Sequence, residues 1–265
     1  MTVTTETDTF YQSFTERNRG LISEQAQQAL RQATVLIAGC GSTGGAAVEP
    51  LVRLGVQQFL LAEPGEYELN NLNRQDADYA DIGRNKAVVA AERIGRINPH
   101  AQAHVETAGV QPDNVERLVA ECDVVVDGVD VTTSGGWQAK IALHEAAAAQ
   151  GRPVISGYDM SGTQYIRFYD YRLGLKPLDG IVTAQDLGAE TVWDLLRRII
   201  PADVVPEDLR ADVRANSGNP DYSVPQLVYT SMLFGVLTAR YVVEILSGVP
   251  VRESVSVDVH SLVRA

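Results

Sequence analysis

The sequence predicts an α/β protein built on a doubly wound, mostly parallel sheet with antiparallel strands at one side. Short apolar runs alternate with helix-period segments at least four times along the 265 residues, as in parallel sheets covered by helices. The run Val124–Asp127 is apolar without alternation, which is typical of a parallel strand buried on both faces. The run Gln164–Asp170 alternates apolar and polar residues, which indicates an antiparallel strand with one wet face.

The remaining elements follow from the period of the apolar residues. Strands are predicted at residues 34–38, 57–62, 103–106, 124–127, 153–156, 164–170 and 254–259. Helices are predicted at residues 21–31, 44–54, 86–97, 114–121, 137–150, 189–200, 207–215 and 226–246. Gly55 ends the second of these helices as a C-terminal cap. The polar residues 1–8 are expected to form a frayed lead-in.

The turn after the first strand is rich in glycine. It contains Gly39, Gly41 and Gly44, with Ser42 and Thr43 between the last two glycines. A strand, tight turn and helix of this kind present backbone N–H groups and a helix N-terminus to a phosphate, as in Rossmann-like sheets. Glu63 ends the second strand, where an acidic residue holds ribose hydroxyls. These features alone are equally typical of an NAD- or FAD-dependent oxidoreductase.

Composition indicates one domain, residues 1–265, with a sizeable core: 45% of the residues are hydrophobic and 21% are charged. The net charge of −12 argues against nucleic acid as a partner. The apolar runs are expected to fall short of the roughly 20 residues that span a bilayer, and the N-terminus does not resemble a signal peptide. We therefore expect no membrane partner and a cytoplasmic location. Two cysteines give no disulfide framework.

Three further motifs follow the second strand. They are Asn71-Leu-Asn-Arg-Gln, Gly83-Arg-Asn-Lys and Asp127-Gly-Val-Asp. Their order and spacing resemble the adenylyltransferases of the ThiF and MoeB type, relatives of the ubiquitin-activating enzymes, over residues 17–170 and again over 228–248. The resemblance implies ATP and Mg²⁺ as cofactors. It also implies adenylation of a carboxylate, commonly the C-terminal glycine of a small sulfur-carrier or ubiquitin-like protein.

The resemblance also assigns roles to individual side chains. Arg74 and Lys86 contact the ATP phosphates, Asn71 contacts the nucleotide, and Asp130 is associated with Mg²⁺. Arg19 reaches the phosphates across a two-fold interface, which implies a homodimer. Independently, a lysine in the first turn of a helix is disfavoured by the helix dipole, and a bound anion would relieve that conflict. From the residues alone, Arg74 is alternatively a surface or helix-capping arginine, and Arg19 is an ordinary arginine before an amphipathic helix. Asp130 is alternatively a helix cap or a loop carboxylate.

The chain departs from the family pattern in its cysteines. No cysteine follows Cys122, so the chain lacks both the paired Cys-x-x-Cys motifs that bind structural zinc and a later acceptor thiol. No zinc is expected. Cys40 is interpreted as a small residue packed beneath the glycine turn, and Asp127 as a structural acceptor of backbone N–H groups. Ser42 and Thr43 replace the family's usual Gly-Leu.

A divergent insert at about residues 173–225 takes the place of the missing zinc module. It is interpreted either as a lid or substrate-recognition surface, or as a filler that contacts the other subunit. The function predicted is adenylation of a carboxylate on a small carrier protein, a peptide or a small acid. The acyl-adenylate is expected to pass directly to a nucleophile, in a reaction that suits specialised-metabolite or peptide-modifying biosynthesis. A non-catalytic scaffold and an NAD(P)- or FAD-dependent oxidoreductase are the alternatives.

Overall fold

A computed structural model describes residues 6–216, 219 and 222–265. The predictions for residues 1–5 and for part of the insert lie outside these ranges. The strands are β1 (Thr34–Ala38), β2 (Gln58–Ala62), β3 (Gln102–Glu106), β4 (Val124–Asp127), β5 (Val154–Met160), β6 (Thr163–Tyr169) and β7 (Ser254–Asp258). They form one sheet in the order β3-β2-β1-β4-β5-β6-β7. Strands β1 to β5 pair in parallel, whereas β6 and β7 are antiparallel at one side, which confirms the predicted fold class.

Helices cover both faces of the sheet. They are α1 (Glu6–Phe14), α2 (Glu24–Gln32), α3 (Ser42–Leu54), α4 (Lys86–Ile97), α5 (Val115–Ala120), α6 (Ser134–Ala149), α7 (Val192–Ile199), α8 (Glu207–Asn216), α9 (Val228–Leu246) and α10 (Val259–Val263). Gly55 caps α3 with φ of 109°, as predicted. Helix α6 begins three residues before its predicted start because the Thr133 side chain accepts a hydrogen bond from the Gly136 N–H.

The predicted frayed lead-in is wrong from Glu6 onward, because α1 begins there. Its anchor is Tyr11, which is 4% exposed. The Tyr11 hydroxyl donates to the backbone carbonyls of Gln27, at 3.1 Å, and Gly55, at 3.0 Å. These partners are distant in sequence, so no local pattern marks the helix.

Strand β6 has no wet face, contrary to the prediction. Tyr165 and Tyr169 point to one face and pack in a cluster with the insert residue Leu178, while Phe168 packs on the other face against Tyr241 of α9. Arg167 is the polar residue of this alternation, and its guanidinium pairs with Asp179 of the insert at 2.7 Å. The insert therefore covers the face that the alternation assigns to solvent.

Helix α9 is central to the packing of the site. Its 19 residues are long and apolar enough to cross a membrane, judged by length and composition alone, so the expectation that no apolar run approaches that length is wrong. Helices of a protein core share this length and apolar character, and 56% of the most apolar 18 residues of α9 are buried inside the molecule. A Cβ at Gly235 would lie 2.1 Å from the Ala46 carbonyl oxygen, so α9 packs directly against the backbone of α3.

Candidate nucleotide and substrate site

A cavity of about 1540 Å³ opens at the carboxyl ends of the parallel strands, where open α/β sheets bind ligands. Its volume exceeds the roughly 300–1,000 Å³ of common ligand sites, so it has room for a nucleotide and a second substrate. The predicted residues that line it are Gly39, Gly41, Ser42, Thr43, Glu63, Asn71, Arg74, Lys86 and Asp130. The structure therefore brings together all the predicted site residues except Gly44 and Arg19.

Two glycines of the loop allow close packing of the backbone, and the third leaves the start of α3 open. Gly39 adopts φ of 86°, and a Cβ there would lie 2.3 Å from the Gly128 carbonyl oxygen. A Cβ at Gly44 would lie 1.9 Å from the Gly39 carbonyl oxygen, so Gly44 serves close packing rather than ligand contact. At Gly41 the nearest atom to such a Cβ is 3.9 Å away. Gly41 is also the N-cap of α3 and has no side chain to cap it, which leaves the helix N-terminus open to an anion.

Glu63 holds the glycine loop in place. Its Oε2 accepts a hydrogen bond from the Cys40 N–H and its Oε1 accepts one from the Gly65 N–H, both at 2.7 Å. Each carboxylate oxygen keeps a second lone pair, so the predicted contact with ribose stays compatible with this geometry. Cys40 is 1% exposed beneath the turn, as interpreted from the sequence, and burial raises the pKa of its thiol.

Arg74 and Asn71 belong to the segment after β2. The Arg74 Nε donates to Gln226 Oε1 at 2.6 Å, and its Nη1 donates to the Asn70 carbonyl at 2.9 Å. Burial lowers the pKa of Arg74, while the carboxylates of Asp159 and Asp130 oppose that effect. Asn71 Oδ1 accepts the Glu68 N–H at 3.1 Å, so Asn71 shapes the turn that presents Arg74.

Lys86 is the first residue of α4, as predicted. Asn85 caps the helix through hydrogen bonds that its Oδ1 accepts from the Ala87 and Val88 N–H groups. The Lys86 Nζ lies 5.8 Å from the centre of the Tyr67 ring. Among the described residues no carboxylate lies within ion-pair distance of this ammonium group, so its charge is available to an anion in the cavity.

Asp130 follows β4, and its loop is shaped by two close contacts. Its Oδ1 accepts hydrogen bonds from the Thr132 N–H at 2.9 Å and the Thr132 hydroxyl at 2.7 Å. A Cβ at Gly136 would lie 1.5 Å from the Asp130 carbonyl oxygen, so glycine is required where α6 meets the loop. Within residues 6–216, 219 and 222–265, no three His, Cys, Asp or Glu side chains form a metal site. One carboxylate fits Mg²⁺ only if phosphate oxygens complete its ligands.

Arg19 lies outside the cavity. It is exposed and follows a 3₁₀ turn on the N-terminal segment. That segment is tied to the far end of α3, because the Asn18 Nδ2 donates to the Leu54 carbonyl at 3.2 Å. In its own chain, therefore, Arg19 is not positioned to reach a ligand that binds at the start of α3.

A buried network centred on Asp127 was only partly foreseen. As predicted, Asp127 accepts a backbone N–H, from Val129 at 3.2 Å. Its Oδ2 also accepts hydrogen bonds from the Lys140 ammonium, from His144 Nε2 at 2.9 Å and from the Ser156 hydroxyl at 2.6 Å. The sequence signal was the spacing of Lys140 and His144, four residues apart on an alanine-rich helix.

The charges within this network are set by burial and pairing. Burial raises the pKa of Asp127, but the attraction of Lys140 and the hydrogen bond from His144 outweigh it and hold the pKa well below its usual range. Burial lowers the pKa of His144 despite the hydrogen bond to Asp127. Neutral His144 donates from Nε2, so its Nδ1 accepts the Tyr171 O–H at 2.7 Å. The network thus links the base of the insert to the loop that carries Asp130.

Asp159 was not predicted to belong to the site. Strand β5 runs to Met160, four residues beyond its predicted end, and this extension places Asp159 in the cavity wall. Its Oδ2 accepts hydrogen bonds from the hydroxyls of Thr43, at 3.3 Å, and Ser231, at 3.1 Å. Its Oδ1 is buried and has no hydrogen-bond partner among the described residues. Burial raises the pKa of Asp159 to about 6.

The insert forms the rest of the cavity wall. Aromatic, aliphatic and basic side chains of the insert line it together with polar ones, and they include Trp193, Leu196, Arg197, Arg210, Val213 and Tyr222. Arg197 pairs with Asp194 at 2.7 Å and is 70% exposed. The nucleotide-binding edge and the insert thus share one continuous space.

The sheet, the glycine loop and the cavity at the carboxyl edge define a nucleotide-binding α/β protein of the Rossmann-like class. The sequence model of the ThiF family matches residues 15–172, which is more than half of the chain. The chain belongs to the ThiF family.

Relatives and solved structures agree with this assignment. The chain is 33% identical to the uncharacterized protein MT1398 of Mycobacterium tuberculosis over 168 residues, which cover 63% of this chain and 23% of that protein. It is 27% identical to the sulfur carrier protein adenylyltransferase of Thermus thermophilus over 137 residues, 51% of this chain and 49% of that protein. The matches therefore span at most about half of the length of either relative.

The fold is also that of E. coli tRNA N6-threonylcarbamoyladenosine dehydratase, TcdA, solved in complex with ATP. The TM-score is 0.63 at 23% identity, and the match covers 93% of this chain and 97% of TcdA. At this level of identity the similarity shows the shared fold.

Proposed function

We propose that the protein is an adenylyltransferase that binds ATP with Mg²⁺ and transfers the adenylyl group to a carboxylate. The observation that carries the proposal is the shared cavity, into which the glycine loop, Arg74, Lys86 and Asp130 all face. The occurrence of Arg74, Lys86 and Asp130 together at the spacing of the ThiF family favours this activity over that of an oxidoreductase. The names of relatives such as the sulfur carrier protein adenylyltransferase support the same activity.

In the proposed reaction a carboxylate oxygen attacks the α-phosphorus of ATP. A new P–O bond forms and the bond to pyrophosphate breaks, so negative charge develops on the leaving group. Lys86 and Arg74 stabilise that charge, and the N-terminus of α3 holds a phosphate oxygen. Asp130 would hold Mg²⁺ together with the phosphates, and the bound ion would add charge neutralisation. No covalent enzyme intermediate is needed.

The acyl-adenylate passes directly to a nucleophile. The chain contains only Cys40 and Cys122, both of which are buried and have raised thiol pKa values. Neither is suited to accept the acyl group as a thioester. The insert lines the same cavity as the glycine loop, which leaves room beside the nucleotide for the carboxylate substrate. That substrate is a peptide end, the tail of a carrier protein or a small acid. Such a reaction suits specialised-metabolite or peptide-modifying biosynthesis.

The first test is calorimetric titration of ATP with Mg²⁺, against NADH, followed by a screen for carboxylates that release pyrophosphate. We expect magnesium-dependent ATP binding and a response to one class of carboxylate. If ATP does not bind, the enzymatic proposal is refuted and a non-catalytic scaffold of the same fold is favoured. If NADH binds and ATP does not, an oxidoreductase is favoured.

A homodimer belongs to this proposal because Arg19 lies outside the cavity of its own chain. If Arg19 acts across a two-fold interface, we expect Arg19→Ala and Lys86→Ala each to lose pyrophosphate release. When the two inactive variants are unfolded together and refolded as a 1:1 mixture, about a quarter of the wild-type activity should return. The reason is that half of the dimers are mixed and each mixed dimer has one intact site.

The matched control is each variant refolded alone, which should stay inactive. If Arg19 instead served its own chain, both sites of every mixed dimer would be defective. No activity would then return on mixing, and the role of the interface would be refuted.

A further inference from the structure

Asp159 places a carboxylate where the proposed function places a phosphate. Strand β5 passes so close to the start of α3 that a Cβ at Gly157 would lie 2.7 Å from the Thr43 methyl group. Two residues later, Asp159 Oδ2 accepts the Thr43 hydroxyl hydrogen. Thr43 belongs to the first turn of α3, whose N-terminus attracts anions. The carboxylate therefore shares the anion-binding end of the helix with any nucleotide bound there.

The surroundings of Asp159 are incomplete without a ligand. Ser231 and Thr43 occupy one carboxylate oxygen, while Oδ1 is buried and has no donor or acceptor within the described ranges. An unpaired buried polar atom is costly. The charged groups that act here are Arg74, which faces Asp159 from the segment after β2, and Asp130 after β4, which acts on the same guanidinium.

A phosphate bound at the N-terminus of α3 and an ionised Asp159 carboxylate would repel each other. A protonated carboxylic acid avoids the repulsion and gains an O–H donor. Burial raises the pKa of Asp159 to about 6, so near neutral pH its protonation costs less free energy than that of an ordinary carboxylate. A phosphate bound nearby would raise that pKa further for two reasons. It would repel the ionised carboxylate, and it would pair with Arg74, whose charge otherwise stabilises that carboxylate.

We propose that Asp159 contacts the nucleotide as a protonated acid, donating a hydrogen bond from its carboxyl group to a phosphate oxygen, so that ATP binding takes up one proton. The proton comes from solvent and no covalent bond changes. The inference rests on the proposed function and adds a ligand-contacting residue to it. Thr43, one of the two residues that replace the family's usual Gly-Leu, donates the hydrogen bond that joins the glycine loop to Asp159.

The test is calorimetry of ATP with Mg²⁺ at pH 7 in buffers of different ionisation enthalpy, which counts the protons bound. We expect close to one proton taken up by the wild type beyond that of Asp159→Asn. The asparagine amide replaces the O–H donor without a charge, so Asp159→Asn should bind ATP at pH 7 at least as tightly as the wild type, which must first take up a proton. Taking the difference between the two proteins also cancels the protons bound or released by the ATP phosphates, which are the same in both titrations.

The pH dependence has a defined sign. The Asp159 carboxyl group should have a higher pKa in the ATP complex than in the free protein. The affinity of the wild type for ATP should therefore be greatest below about pH 6 and should decrease above it, by up to about tenfold per pH unit. Asp159→Asn should lack this fall. Ser231→Ala removes a hydrogen bond that favours the ionised form, so the fall should begin at a higher pH. If Ser231 had only a structural role, the pH at which the affinity begins to fall would not change.

The outcomes separate the two proposals. ATP binding with equal proton uptake in the wild type and in Asp159→Asn would overturn the role of Asp159 and leave the adenylyltransferase standing. Failure of every variant to bind ATP would overturn both. Loss of ATP binding in Asp159→Asn alone would also contradict the inference, because it would show that the negative charge is required.

Discussion

Replacing Lys86 by alanine should weaken magnesium-dependent ATP binding by about 10- to 100-fold, because a hydrogen bond to a charged group contributes about 1.5–3 kcal/mol. Pyrophosphate release should fall further, by about 10²–10³-fold in turnover, since the ammonium group also stabilises charge that develops on the leaving group. Lys86 stands at the first position of α4 without an ion-pair partner in the described part of the chain. Its removal should therefore leave the fold intact.

The matched control is Lys176→Ala. Lys176 is exposed at the base of the insert and does not line the cavity. We expect unchanged ATP affinity in that variant and an unchanged unfolding midpoint in both. ATP affinity within twofold of the wild type in Lys86→Ala would contradict the assignment of this lysine to the phosphates.

Replacing Lys140 by methionine should destabilise the protein by about 3–5 kcal/mol, because it leaves the buried Asp127 carboxylate without its counter-ion. The side chain of Lys140 is 2% exposed and that of Asp127 is 0% exposed, so solvent does not compensate for the loss. Urea unfolding followed by circular dichroism measures the change, which should appear as a lower midpoint with the same slope.

The double variant Lys140→Met with Asp127→Asn separates the charge from the packing. It removes both ions, so we expect it to recover a large part of the lost stability. Equal losses in the single and the double variant would show that the methylene chain of Lys140, and not the ion pair, determines the stability.

The parts of the fold that the sequence predicted correctly depend on local chemistry. Strand β4 was recognised from an apolar run without alternation, and the end of α3 from a glycine that tolerates positive φ. The errors are non-local. The wet face assigned to Gln164–Asp170 is covered by an insert that lies later in the chain, and α1 is held by Tyr11 through Gly55, 44 residues away.

The site divides in the same way. The glycine loop follows β1, Arg74 and Lys86 follow β2, and Asp130 follows β4, which are neighbouring strands of the sheet. The carboxyl ends of parallel strands share one edge, so the convergence of these residues was predictable. Asp159 was missed because its partners are distant: Thr43 is 116 residues away and Ser231 is 72 residues away. A single carboxylate after a strand carries no signal until the fold brings those hydroxyls to it.

The contact of α9 with α3 sets the order in which the molecule becomes functional. The nucleotide loop is encoded in the first fifth of the chain, but the helix that supports it comes from the last fifth: Gly235 meets Ala46, and Phe234 fills the space beside Gly157. Closing so long a loop is slow compared with local helix formation. During synthesis on the ribosome, the emerging chain therefore holds every phosphate-binding residue long before it has a rigid site for them.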